Sequence, residues 1–494
     1  MKPGTPSTAS TPFFPAWRAR LGPLKATVQN VRAKPLPYLR DLFGSWIPDV
    51  ALAQEKTGTN SRRRRFPVEL TFWAFLSQIL NPGSPCREAV RQVLALFCLH
   101  QQKATLDEQT GGYCQARLRL PLNRLQQILG LIAQGARRRS PKSRLWLGRE
   151  VKVVDGSSVT LPDTGANQKV FPQQRAQQPG CGFPIMKFVG LFSLTTGCLL
   201  ATVTGSYYVS ELALFRKLWH YLKPRDVLLA DRHYSDYGTL AWLWREGVDA
   251  VLRMNQNRSK DFRQGNYLGP QDRLITWRKP RQRAQTITAK LWVLLAPELT
   301  LRMIRVRCAA RGFRTRELVL VTTLLDPEKY PAAEIAKLYL QRWSIELFFR
   351  DIKTMLKMEH LRCHTPAMVQ KELLMHLIGY NLIRAVMVET VRRHEVPLER
   401  LSFKGSVDSV RQFSLAISKA RTKNRAAALV KELLRVLAAD LVPLRPDRRE
   451  PRAIKRRPKP FPLLTKPRDQ YIEIAHRSRY RKSKKQKARK ITSS

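Results

Sequence analysis

Apolar residues recur at helical spacing from Phe66 through Leu70, Trp73, Phe75, Leu76, Ile79 and Leu80, and predict a helix there. Pro82, Gly83 and Pro85 break it. Val90, Val93, Leu94 and Phe97 resume the pattern on a second helix over Arg87–Leu99, and a third helical stretch runs from Leu122 to Gln134. The period changes at Val151. Val151–Val154 reads as a strand, followed by strands over Lys187–Leu194 and Leu199–Thr204 that meet at Thr196-Gly197. Next come a helix over Ser210–Leu222, a strand over Asp226–Ala230, a helix over Ser235–Arg245 and a strand over Val248–Leu252. Three meander strands followed by β/α alternation predict an α/β fold, a mixed sheet flanked by helices.

Residues 254–325 interrupt the alternation. Short apolar runs at Leu291–Leu295, Leu301–Val306 and Leu318–Thr322 suggest a mostly β insertion in the sheet domain. A long helix is expected over Ala332–Met358, with further helices near 368–392 and 408–440. Residues 1–60 read as a flexible basic leader, because Pro3, Pro6, Pro12 and Pro15 break any amphipathic targeting helix. The expected order is therefore leader 1–60, helical domain 61–145, sheet domain 146–395, helical region 396–444 and basic tail 445–494.

Charge narrows the class of partner. The 494 residues carry 89 Lys and Arg against 37 Asp and Glu, a formal net charge of +52. Such self-repulsion calls for a polyanion, and nucleic acid fits better than an anionic membrane surface. From Arg445 to Lys490 there are 19 basic and 4 acidic residues, a net of +15, so most of the excess lies in the body. The seven cysteines at 86, 98, 114, 181, 198, 308 and 363 form no CxxC pair, which fits free thiols in a reducing compartment, the cytoplasm. No run reaches the roughly 18 apolar residues of a membrane span. His360 and His364 share no metal motif.

Three acids stand out by position. Asp155 and Asp231 each follow a predicted strand, and Glu346 lies in the long helix. Carboxylates at two strand ends and on a packed helix can converge on one sheet edge and hold Mg²⁺ through hard oxygen ligands. An Asp after a strand can equally be a loop start or a helix cap, and Asp231 has that option ahead of Ser235. On the helix, Tyr339, Arg342, Glu346 and Lys353 fall within an arc of about 60° at 100° per residue. Leu340, Trp343 and Leu347 form an adjacent apolar stripe. The polar stripe suits a metal-binding acid among phosphate-holding cations. It also suits an exposed face with an Arg342–Glu346 pair.

Tyr339-x₂-Arg342-x₃-Glu346-x₆-Lys353 resembles the Tyr-Arg-Glu-Lys motif of DDE transposases of the insertion sequence 4 family. Val154-Asp155-Gly156-Ser157-Ser158, Ala230-Asp231-Arg232-His233-Tyr234 and Arg342-Trp343-Ser344-Ile345-Glu346 are similar to that family's three acid contexts, and the likeness runs over roughly 66–395. The resemblance implies an RNase H-like catalytic domain with a β-rich insertion (254–325) between the second Asp and the Glu. It implies Asp155, Asp231 and Glu346 as catalytic metal ligands for Mg²⁺ or Mn²⁺, two ions per site. Tyr339, Arg342 and Lys353 would contact DNA phosphates, with Arg232 as a further candidate. Arg62, Arg63, Arg64 and Arg65 and the first helical domain would help bind transposon ends. Trp277 and Trp292 are candidates for stacking on a flipped base, or are ordinary sheet aromatics. The expected activity is cut-and-paste transposition by hydrolysis, hairpin formation and strand transfer, on a homodimer. The alternatives are an RNase H-like nuclease that does not join ends, or a silent DNA-binding regulator.

Overall fold

The computed structural model describes residues 37–53, 65–100, 108–307, 317–420 and 422–443, with single positions at 58, 61 and 470. The expected leader up to 36, Arg62, Arg63, Arg64, Cys308 and the basic tail apart from Gln470 lie outside the described residues.

One nine-stranded sheet organises the chain. Its strands are β1 (Val151–Thr160), β2 (Ile185–Ser193), β3 (Leu199–Ser206), β4 (Val227–Ala230), β5 (Asp249–Arg253), β6 (Asn266–Gly269), β7 (Asp272–Arg278), β8 (Glu298–Arg307) and β9 (Glu317–Thr322). Their spatial order is β3-β2-β1-β4-β5-β9-β8-β7-β6. β1, β4 and β5 run parallel, and the remaining neighbours are antiparallel. The β strands of the interrupting segment thus extend the same sheet through β9. Within that segment Leu291–Leu295 is not a strand. Ala289–Leu294 is a short helix, started by the Thr288 hydroxyl accepting from the Leu291 N–H, with Val293 and Leu294 exposed.

Alternation along the strands sends side chains to two cores. Val151, Val153, Val227 and Leu229 enter one with the helices of both chain ends, while Val154, Leu228 and Ala230 enter the other with the helices Glu211–Arg216 and Tyr237–Arg245. The axis of the larger core is the helix Pro366–His394, buried along nearly all its length. Its polar residues fasten the β2–β3 turn. Tyr380 donates to the Gly197 carbonyl at 2.7 Å, and Asn381 binds both backbone groups of Leu199 at 2.8 Å. Gly197 takes φ +71°, the left-handed conformation expected of the Thr196-Gly197 turn.

Several expected boundaries change. Residues 37–52 are not a flexible leader. They form helical turns at Pro37–Phe43, Gly44–Trp46 and Asp49–Leu52, and Leu39, Phe43, Trp46 and Ile47 are buried in the larger core. The reading of 1–60 rested on prolines, but here Pro37 and Pro48 open helices, where a missing N–H costs nothing. An unpredicted helix, Gly111–Arg119, precedes Leu122–Arg139. The expected helix over Ser210–Leu222 is a shorter helix, Glu211–Arg216, followed by a 3₁₀ turn at Trp219–Tyr221. The region 408–440 divides into Phe403–Ser418 and Lys423–Ala439. Ala332–Met358 is not one regular helix. It runs as α over Ala332–Leu340, 3₁₀ over Gln341–Trp343, α over Ser344–Arg350 and π over Asp351–Met355.

Candidate active site

Asp155 does not follow its strand but lies inside it. β1 continues to Thr160 because β2 pairs it throughout, with Asp155 opposite Gly190 and Thr160 opposite Ile185. This cross-strand pairing overrides the turn-like Asp-Gly-Ser-Ser sequence. On its other side β1 pairs with β4 only as far as Val153–Leu229. Asp155 lies two residues beyond the last paired position of β1, and Asp231 two residues beyond that of β4, just past the strand's end. The Asp231 side chain caps the 3₁₀ turn Arg232–Tyr234 and accepts from the Arg232 N–H at 2.6 Å. Its capping role is real but ends at Tyr234, since Asp236 caps the helix Tyr237–Arg245. Asp231 therefore both caps a turn and faces Asp155.

Burial raises the Asp155 carboxyl to about 6 from an ordinary 3.8. The Gly156 N–H and the Arg342 guanidinium oppose that rise, and the negative Glu211 and Asp231 add to it. Two acids on neighbouring strands thus create a place that favours a cation.

Arg342 supplies one positive charge. Its guanidinium stands 3.9 Å from Asp155 and 3.9 Å from Glu346, bridging the strand acid to the helix acid. It is buried, it lies over the Tyr339 and Trp343 rings at 5.9 and 5.8 Å, and its Nε has no hydrogen-bond partner. The Tyr339 hydroxyl points at the Ala230 carbonyl at 3.4 Å, one residue before Asp231. Burial first, and Asp231 in addition, push this phenol up to about 12, so it stays a neutral donor.

The helix faces are therefore reversed from the sequence expectation. Tyr339 and Arg342 are buried, while Leu340 and Leu347 are exposed. Glu346 projects outward, with its side chain 65% exposed, and Lys353 is half-buried on the π turn. A uniform 100° step fails across a 3₁₀ turn and a π turn, which advance by larger and smaller angles. Tyr339 and Arg342 turn inward, where Ala230 and Asp155 give them partners. Arg232 follows Asp231 directly and is half-buried, whereas Arg65 is exposed ahead of the helix Val68–Leu80. Among the described residues, no three His, Cys, Asp or Glu side chains come close enough to hold a metal ion. The donor chemistry nevertheless fits a hard dication: neighbouring carboxylates, one destabilised as an anion, with a monocation already drawn between two of the three acids.

The two tryptophans part company. Trp277 is buried in the smaller core under the Arg258 guanidinium, 4.2 Å from its ring. Trp292 lines an open cavity of about 260 Å³ with Tyr237, Asn255, Asn257, Arg258 and Gln282. Sequence reasoning missed Glu211, Tyr234 and Arg253. Glu211 and Tyr234 bear on Asp155 and on each other, and Arg253 faces Tyr339. The signal for Glu211 was present in the sequence: a glycine, Gly156, inside a strand.

Residues 146–382 match the family of the transposase DDE domain. The span that holds the nine-stranded sheet and the three acids is thus similar to the transposase DDE domain. The chain is 26% identical over 435 residues to the transposase InsG of insertion sequence element IS4 from Escherichia coli K12, covering 87% of this chain and 95% of that protein. A probable transposase for insertion sequence element IS5377 of Geobacillus stearothermophilus is 34% identical over 93 residues, 19% of this chain and 24% of that protein. A piggyBac transposase synaptic complex with hairpin DNA aligns with 82% of this chain and 86% of its own, at 10% identity and a TM-score of 0.39. No helix among the described residues is long and apolar enough to cross a membrane.

Proposed function

We propose that this chain is a DDE transposase of the insertion sequence 4 family that performs cut-and-paste transposition with Asp155, Asp231 and Glu346 as its catalytic acids. The observation that carries the reading is Asp155 on β1 and Asp231 one residue past the end of the neighbouring β4, with Arg342 between Asp155 and Glu346. The order β3-β2-β1-β4-β5 supports an RNase H-like catalytic domain over 146–395, with the segment 254–325 as its β-rich insertion. The three acids would hold Mg²⁺ or Mn²⁺, two ions per site, supplying charge neutralisation for in-line displacement at phosphorus.

The chain's own groups do the rest. Arg342 and Lys353 neutralise phosphate oxygens, and Tyr339 holds Arg342 and the end of β4 in place. Arg232 sits where a phosphate beside Asp231 would pass. The same acids serve hydrolysis of the first strand, hairpin closure by the freed 3′-hydroxyl, reopening, and joining to target DNA, since each is a displacement at a phosphodiester. Arg62, Arg63, Arg64 and Arg65, with the helical region 61–145, form the end-binding part. Two ends cut together imply a homodimer on DNA, working in the cytoplasm. Of the two tryptophans, Trp292, which lines the open cavity, is the one that would stack on an extrahelical base.

The test uses the DNA that brackets the coding sequence. Glu346→Gln binds the ends but neither cuts them nor joins a pre-cut end to a plasmid. Cutting by Glu346→Gln removes this acid from the reading, and wild-type cutting without joining makes the enzyme a nuclease.

A further inference from the structure

Glycine in a strand interior costs roughly 0.5–1 kcal/mol relative to alanine and usually marks a close approach. Gly156 sits inside β1, next to Asp155, and its φ is not among the positive values. The backbone therefore does not demand glycine there; a neighbour does. A Cβ on Gly156 would lie 2.5 Å from the carboxyl carbon of Glu211 and 2.7 and 2.8 Å from its two oxygens. The missing side chain is the room that the Glu211 carboxylate occupies.

Glu211 opens the helix Glu211–Arg216, and the next turn is anchored by Leu214 and Phe215 in the smaller core. The carboxylate is thus brought to the acid edge by a packed element. It lies close enough to Asp155 to raise that carboxyl, alongside Asp231. An independent group points at the same spot. Tyr234 is fully buried at the end of the turn that Asp231 caps. Its hydroxyl has no hydrogen-bond partner, and burial first, then the charges of Asp155, Glu211 and Asp231, raise the phenol. A buried hydroxyl left so is costly, by about 1–3 kcal/mol. That cost is understandable where the acceptor it faces is shared with another ligand.

We propose that Glu211 is a fourth carboxylate of this site and contributes an oxygen ligand to the divalent cation held by Asp155 and Asp231. The proposal rests on the reading of those two acids as cation ligands. In this arrangement Glu346, exposed and across Arg342, is the acid that responds to substrate, and Glu211 completes the set on the protein side. Tyr234 orients Glu211 and touches no reacting atom.

The experiment titrates Mn²⁺ into the full chain without DNA and follows free Mn²⁺ by electron paramagnetic resonance. Glu211→Gln is expected to weaken Mn²⁺ by about tenfold or more. Tyr234→Phe, which removes only the hydroxyl, is expected to leave affinity within about twofold. Asp155→Asn reports on the underlying reading. Loss of affinity in Asp155→Asn with none in Glu211→Gln overturns the role of Glu211 and leaves the site standing. Unchanged affinity in both overturns the site itself. If Glu211→Gln does not fold, as judged by circular dichroism, Glu211→Asp takes its place. It is expected to weaken Mn²⁺ by about threefold or more, and wild-type affinity in that variant overturns the proposal.

Discussion

Asp155→Asn should stabilise the metal-free chain while abolishing cleavage. The folded chain holds the Asp155 proton with a pKa of about 6, whereas the unfolded chain releases it at about 3.8. A raised acid pKa means that the folded state binds more protons between those values, so stability falls as pH rises through this window. At about 1.4 kcal/mol per pH unit, the loss reaches about 3 kcal/mol above pH 6 and only about 1 kcal/mol at pH 4.5. Asparagine keeps the shape and still accepts from the Gly156 N–H, which bonds Asp155 at 2.8 Å, but it carries no charge to desolvate. The variant should therefore exceed the wild type by about 1 kcal/mol at pH 4.5 and by about 3 kcal/mol at pH 8. Urea unfolding at both pH values, with chelator present, measures the two differences. Added Mn²⁺ should then stabilise the wild type and not the variant. An Asp155→Asn chain that is less stable at pH 8, or whose advantage is the same at both pH values, would refute the argument that burial and negative neighbours strain this carboxylate.

Gly156→Ala should fold with stability within about 1 kcal/mol of wild type, because the group it strikes is the far end of a flexible side chain. It should nevertheless lose Mn²⁺ affinity as Glu211→Gln does, and the double variant should lose no more than either, as a double-mutant cycle will show. Trp292→Ala should weaken binding of transposon ends by about 1–3 kcal/mol in gel-shift titrations and, because Trp292 is only half-buried against the smaller core, should lower stability less than Trp277→Ala does. Trp277→Ala should instead cost about 3–5 kcal/mol of stability, since it removes a core side chain. Removing residues 445–494 should lower affinity for unrelated DNA and for transposon ends by the same factor and flatten the dependence of log K on log salt, as measured by fluorescence anisotropy.

The sheet was legible because alternation is a local signal. β2, β3, β4 and β5 appear within two residues of their expected ends, and the β-rich character of 254–325 follows from its short apolar runs. Asp231 stands directly after its strand as the sequence pattern expects, whereas Asp155 lies inside β1, which runs on to Thr160. What failed depended on partners far away in sequence. Whether Asp-Gly-Ser-Ser turns or extends is decided by β2, more than 25 residues later. The inward turn of Tyr339 and Arg342 is decided by Asp155 and Ala230, and the burial of Pro37–Phe43 by the helix Phe403–Ser418. Glu211 is a single acid in an ordinary helix start. Only the position of Gly156 across from it gives it meaning.

The larger core joins the beginning of the chain to its end. The turn Pro37–Phe43 packs on the helix Phe403–Ser418, about 370 residues downstream. A chain emerging from the ribosome therefore holds this turn without that partner until most of the described residues have been made, while Asp49–Leu52 already meets Val68–Leu80 and Leu122–Arg139. A reading frame interrupted before the codons for Phe403–Ser418 leaves Leu39 and Phe43 without that cover, so the shortened product should be less stable and more open to proteolysis than the full chain.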